Sequence, residues 1–409
     1  MFIIKKRNFI FMLSAVFLAG MLVFGVGFKL SFDVVGGGAR IVSAADYEEY
    51  SAYKDNYAEL IGFDEYLKDN FYMPVSAETL EVGAYKGMFA SLGDRYTVYY
   101  TADEYRRQSE NTQGEFSGIG ATVSMDESGY LGIVEILPGG AAEREGLLVG
   151  DVIVSIDGVS YEGQDLNGAV ALLHGEEGSE VRLLVRRNGE EFEKTLIRAK
   201  VITPSVSSEW LADGNIGYIR VSSFANRTAE DFGAALRDME EKQAGGLIID
   251  LRNNGGGLVD RGVEIADMLL DAGTVATVRS RDGTESTVYT TEDGATRLPY
   301  VLLVNGETAS TSEILAGAVK DNSGGYIVGA KTTGKGILQR LERFAGGDGA
   351  RITVAQYFTP NGDAVHGVGI TPDFIVDDPD PNGDGADMQL EKAIELLSSE
   401  TTGQRQPVE

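Results

Sequence analysis

Ser310 and Lys335 are the side chains whose surroundings best suit covalent chemistry. Ser310 stands in VLLVNGETASTSEILAGAVKD, where the apolar run Val301–Val304 meets a Gly/Thr/Ser turn and a helix-like segment, Ser312–Lys320, follows at once. A hydroxyl on such a strand-to-helix bend is held exposed, and the adjoining helix N-terminus favours negative charge. A serine hydroxyl is a weak nucleophile and needs a base. Lys335, in GAKTTGKGILQ, can be that base only when neutral, and the ordinary lysine pKa is about 10.4. Burial among apolar groups disfavours the ammonium, and Gly334, Gly336, Ile337 and Leu338 bring no charge. Gln339 would share a face with Lys335 on a strand, where its neutral amide orients the amine without stabilising its charge. Acyl transfer also requires oxyanion donors. The N–H of Thr311 is one candidate, and that of Gly255 or Gly256, behind the apolar run Leu247–Leu251, is the other. The chain has no cysteine, which removes thiol nucleophiles and thiolate metal sites. His174 and His366 are its two histidines.

These groups need a scaffold, and the pattern along the chain supplies one. Residues 201–378 alternate strands with helices: Gly217–Val221, helix Ala229–Gln243, Leu247–Leu251, helix Val259–Leu270, then Val275–Arg279 and Val301–Val304. That is α/β texture with a mainly parallel sheet, whose sites collect at the carboxyl ends of the strands. Residues 46–113 read as an amphipathic helical arm, with Tyr47, Tyr50, Leu60, Phe63, Tyr66, Leu67 and Phe71 at helix-like spacing. An aromatic-rich arm of this kind suits homodimerisation. Residues 114–200 switch to short strands and turns, with Asp157-Gly158 and Asn188-Gly189 as hairpin signals.

The order of elements in 114–200, and above all ILPGGAAEREGLLVGDVIVSIDGV, resembles a PDZ domain. That resemblance implies capture of a peptide C-terminus beside an edge strand. The backbone of Ser117, Gly118, Ile119 and Gly120 would receive the terminal carboxylate.

From about Tyr66 to Leu397 the chain resembles the C-terminal processing peptidases, or tail-specific proteases. GMFASLGDRYTVYY, FSGIGA, the PDZ core, IIDLRNNGGGL, VNGETASTSEILAGAVKD, GAKTTGKGILQ and YFTPNGDAVHGVGITPDFIV occur in the family's order. The resemblance implies a ClpP/crotonase-like α/β protease core with an inserted PDZ domain. It also implies that Ser310 is nucleophile, Lys335 general base and Gln339 lysine orienter, with protein or peptide substrates and no cofactor. Asp321 matches an aspartate important in some relatives and is read here as structural. At the end of the PDZ helix many relatives carry arginine where this chain has His174. A histidine there brings a conditional charge near pH 6.5, making His174 a candidate sensor.

The ends and the charge complete the reading. Lys5, Lys6 and Arg7 precede the uncharged run Phe9–Phe28, about the length that crosses a bilayer as a helix. A single-pass anchor with the catalytic part outside the cytoplasm is expected, so 1–45 are flank, anchor and linker; a cleaved signal peptide is the rival. A net charge of −28 argues against nucleic-acid partners. Two motifs are set aside. Ser51–Lys54 with Lys331–Gly334 has the outline of the SxxK and KTG boxes of penicillin-recognising enzymes but lacks their middle motif. Asp380, Asn382, Asp384, Gly385 and Glu391, in residues 379–409, have calcium-loop spacing, but no helix enters the loop. No metal is expected.

Overall fold

The computed structural model describes residues 31–35, 38–125, 129–161, 166–211, 215–281, 283, 285–377 and 386–401. The expected anchor, Phe9–Phe28, and most of the calcium-like loop lie outside them. Among the described residues no helix is long and apolar enough to cross a membrane. Contacts divide the chain into Met1–Gly87 and Met88–Glu409.

In the first unit, Ser31–Val35 pairs antiparallel with Gly38–Val42, within the stretch expected as a linker. The helix Ala44–Asn70 follows, its start fixed by the Ser43 side chain accepting the Asp46 N–H at 3.1 Å. None of its residues is buried.

The second unit is mixed α/β. Its main sheet has the order Val206–Leu211, Ile216–Val221, Gly246–Asp250, Tyr300–Val304, Tyr326–Gly329, Phe374–Ile375. The first pair is antiparallel and the rest are parallel. Gly246–Asp250 and Tyr300–Val304 are buried at every position, as continuous apolar runs in a sheet covered on both faces must be. Ile249 and Leu302 face a core built with the helices Thr228–Glu241, Val259–Leu269 and Thr311–Asp321. Ile248, Val301 and Leu303 face the C-terminal helix Met388–Thr401 through Ala393, Leu396 and Leu397. Alternate residues thus go to opposite layers.

Val275–Arg279 does not belong to that sheet. Gly273–Ser280 lies in a second, antiparallel sheet with Glu285–Thr291, Gly349–Phe358 and Ile337–Arg343. The helical reading of 46–113 also needs correction, because Val98–Tyr100 is a strand of this sheet, paired with Gly349–Arg351. Three residues carry too little period to signal a strand; their partner does it. The helix Ala102–Gln113 follows, opened by a reciprocal Thr101/Glu104 capping box and closed by Gly114 at φ +69°.

Between Ala121 and Ile197 the strands form a separate antiparallel sheet around its own core of Leu131, Ile153, Val181, Leu183 and Leu196. Ala121–Met125 is its edge strand, and the helix Leu166–Leu173 packs against it. The chain enters and leaves this module through one antiparallel ribbon, Glu115–Gly118 with Ala199–Ile202, strengthened by a Lys200–Glu115 ion pair.

Candidate active site

Ser310 sits where strand Tyr300–Val304 gives way to helix Thr311–Asp321, with φ 59° and ψ −119°. A non-glycine residue in that region costs about 1–3 kcal/mol and persists only where its surroundings fix it. They do so on both sides. The Ala309 N–H donates to the Asn254 carbonyl (3.0 Å), as does the Ser312 hydroxyl (2.9 Å). The Thr308 hydroxyl donates to the Leu251 carbonyl at 2.9 Å. The turn carrying Ser310 is therefore bolted to the glycine loop after strand Gly246–Asp250.

Asn254, fully buried, shapes that loop. Its side chain donates to the Val221 carbonyl and accepts the Gly256 N–H, both at 2.9 Å. The Gly256 N–H, expected as a possible oxyanion donor, is thereby engaged. Among the described residues no acceptor takes the N–H of Gly255 or Thr311. Gly256 matters through close approach instead: at φ +101°, a Cβ there would lie 2.7 Å from the Ser310 Cβ. Ser310, Lys335, Gln339, Gly255, Gly256 and Tyr357 line one cleft of about 490 Å³.

Lys335 precedes strand Ile337–Arg343 rather than lying in it. Burial pushes its amine below the ordinary lysine value; Arg351 and Arg95 push the same way, while Glu313 and Asp94 oppose. Its Nζ lies 5.0 Å from the centroid of the Tyr96 ring. Lys335 lies just outside the strand and Gln339 within it, and both line the same cleft. The pairing with Gly349–Phe358 shifts register between Leu338 and Gln339, the extra residue, Val354, lying in the partner strand. The Gln339 amide donates to the Ile337 carbonyl at 3.2 Å.

Two residues that the sequence reading passed over join Ser310 to Lys335. Glu313 is fully buried, and its carboxylate accepts the Ser310 N–H at 3.0 Å, the Gly334 N–H at 2.7 Å, the Lys335 N–H at 2.8 Å and the Thr332 hydroxyl at 2.5 Å. The phenol of Tyr357 lies between the carbonyls of Ser310 (2.9 Å) and Lys335 (2.8 Å), its one proton shared by both. Burial raises the Tyr357 pKa well above normal, with help from Glu313. The spacing Ser-x-x-Glu at a helix start signalled Glu313 as a capping residue. Tyr357 carried no signal. Asp321 accepts the Asn361 N–H at 2.9 Å, a loop-holding contact. Asp387, beside the calcium-like loop, pairs with Arg252 at 2.8 Å; among the described residues no acidic or histidine group is arranged to hold a metal.

A second cavity, of about 400 Å³, runs between edge strand Ala121–Met125 and helix Leu166–Leu173, with Ile119, Gly120, Leu173 and His174 in its wall. Ile119 and Gly120 are where the carboxylate loop was expected. Ser117 and Gly118 are not; they pair with Lys200 and Ala199 in the ribbon. His174 stacks on Phe116 of that ribbon, ring centroids 4.7 Å apart. Burial, with Arg106, Arg107 and Arg198 nearby, lowers the His174 pKa, so its charge appears below the ordinary histidine range and not near pH 6.5.

The geometry agrees with what comparisons with known proteins find. Residues 215–376 match the model of peptidase family S41, and residues 132–187 match a PDZ domain. The carboxyl-terminal-processing protease of Synechocystis is 37% identical over 326 residues, covering 77% of this chain and 76% of that protein. The carboxy-terminal processing protease CtpA of Bacillus subtilis is 33% identical over 318 residues, covering 77% and 68%. Among solved structures, a photosystem II D1 C-terminal processing protease aligns at 30% identity and a TM-score of 0.47, covering 81% of this chain and 89% of that one. With a half-buried serine at a strand-to-helix bend, a lysine lining the same cleft and a PDZ module already in place, the chain belongs to peptidase family S41, among the carboxyl-terminal processing serine proteases.

Proposed function

We propose that this chain is a membrane-anchored, extracytoplasmic endopeptidase that takes proteins by their C-terminal tails and cuts them through an acyl-enzyme on Ser310. One observation carries the reading: Ser310 and Lys335 line one cleft and are tied to each other by Glu313 and Tyr357. The neutral Lys335 amine takes the Ser310 proton as the oxygen attacks the scissile carbonyl carbon. The N–H groups of Thr311 and Gly255 receive the oxyanion. Collapse breaks the C–N bond, and Lys335 returns the proton to the leaving amine. A water, deprotonated by the same lysine, then hydrolyses the ester. Gln339 orients the amine once it leaves the Ile337 carbonyl.

The substrate tail adds to edge strand Ala121–Met125, its carboxylate received at the backbone of Ile119 and Gly120, which form the groove wall. His174 senses occupancy from the end of that groove. The domains are read as 1–45, 46–113, 114–200, 201–378 and 379–409, with a ClpP/crotonase-like core. The arm Ala44–Asn70 pairs with a second copy: Tyr50, Tyr53, Tyr57, Leu60 and Leu67, all 40–65% exposed, fall on a heptad seam interrupted by Asp64. Anchoring rests on Phe9–Phe28 with its basic flank.

The test uses the purified full-length chain and a loosely folded protein ending in apolar residues. Cleavage should fall by at least about 1,000-fold in Ser310→Ala and in Lys335→Ala and persist with chelator present. A Lys335→Ala enzyme of wild-type rate would end the Ser/Lys reading.

A further inference from the structure

Helix Thr311–Asp321 lies almost wholly inside the core, and Glu313 is the charged side chain on its buried run Thr311–Val319. A buried carboxylate is costly unless hydrogen bonds replace its water. Here four donors do so, and each belongs to the site: the N–H of Ser310, the hydroxyl of Thr332, and the N–H groups of Gly334 and Lys335. Oε2 takes the Ser310 and Lys335 N–H groups together, so one atom spans the backbone of both residues.

Resting on the Ser310/Lys335 reading above, we propose that Glu313 is a positioning residue of the reaction, whose carboxylate holds the Ser310 bend and the Lys335 segment in register across the cleft. Electrostatics would not select a carboxylate here. The amine of Lys335 is faced by Arg351 and Arg95, which favour its neutral form, and by Glu313 and Asp94, which oppose it. Glu313 therefore works against the base through charge and for it through geometry. An acceptor with fewer lone pairs frees the electrostatics and loses the alignment, because a glutamine amide brings two donors to a place crowded with donors.

That opposition makes the proposal testable on the full-length enzyme. The variants Glu313→Gln, Glu313→Asp and Ser310→Ala are compared with the parent on one peptide ending in apolar residues. kcat and KM are followed across pH, and folding by thermal melting. Glu313→Gln should lower kcat by about 100-fold with KM within about threefold, the signature of lost alignment. Its acid limb should also move to lower pH, which a merely structural role would not produce. Glu313→Asp keeps the charge, so its limb should stay in place while kcat remains below the parent. A folded Glu313→Gln enzyme with the parent's kcat and limb overturns the proposal, and an inactive Ser310→Ala then shows that the nucleophile reading still stands. An active Ser310→Ala overturns that reading itself. Where Glu313→Gln does not fold, Glu313→Asp decides: the parent's kcat overturns the proposal, and a reduced kcat at unchanged KM and limb supports it.

Discussion

At the scale of single residues, the proposed Ser/Lys chemistry requires one uncharged amine. Burial is the largest influence lowering the Lys335 pKa, and the Arg351 guanidinium is the next largest in the same direction. Removing that positive charge makes the ammonium easier to form, so the fraction of neutral base at a given pH falls. Arg351→Gln should therefore shift the acid limb of kcat/KM to higher pH, opposite to the shift expected for Glu313→Gln. A pH–rate profile with an unmoved limb would show that Lys335 is not the titrating base. The residue types at the site were legible in the sequence, because Ser310 at a bend and Lys335 between glycines announce themselves. The Gln339 contact was not. Its amide donates to the Ile337 carbonyl two residues back, a local contact that no spacing rule registers. Thr332, in a stretch set aside as an accidental likeness, serves Glu313.

At the scale of elements, the outcome follows how locally each element is determined. The buried strands Gly246–Asp250 and Tyr300–Val304 and the helices after them carry their own signals in continuous apolar runs and 3.6-residue spacing. Val98–Tyr100 and Gly273–Ser280 do not, since their sheet membership is set by Gly349–Phe358, far along the chain. The end of helix Leu166–Leu173 shows the same dependence. His174, whose sequence position suggests a sensor charging near pH 6.5, is half-enclosed, stacked on Phe116 and faced by Arg106, Arg107 and Arg198. Protonation there is opposed, so peptide binding to the groove should weaken or strengthen only as pH falls below about 6.5, where the imidazole can begin to charge. A His174→Arg variant carries a fixed charge and should lose that dependence. Binding isotherms of an apolar C-terminal peptide at several pH values would check it, and identical profiles for parent and variant would remove His174 as a sensor.

At the scale of the whole molecule, the open question is what the aromatic arm does. Tyr50 and Tyr57 are 61% and 49% exposed, and helix Ala44–Asn70 buries none of its residues. Replacing both with serine should shift a dimer to monomer in analytical ultracentrifugation while leaving the melting of the catalytic unit within about 2 °C; an unchanged sedimentation coefficient would refute the pairing. The spacing of these aromatics is legible in the sequence; a dimer seam is not, because a second copy completes it. The ribbon of Glu115–Gly118 with Ala199–Ile202 has a different reach. Because both ends of the PDZ module leave side by side, it is mounted like a cassette on a short two-rail stem. The two hydrophobic cores share no residue, so a foreign module with neighbouring termini would fit the same socket. Under the proposed function, selectivity for tails would then be exchanged wholesale, without redesign of the machinery that cuts.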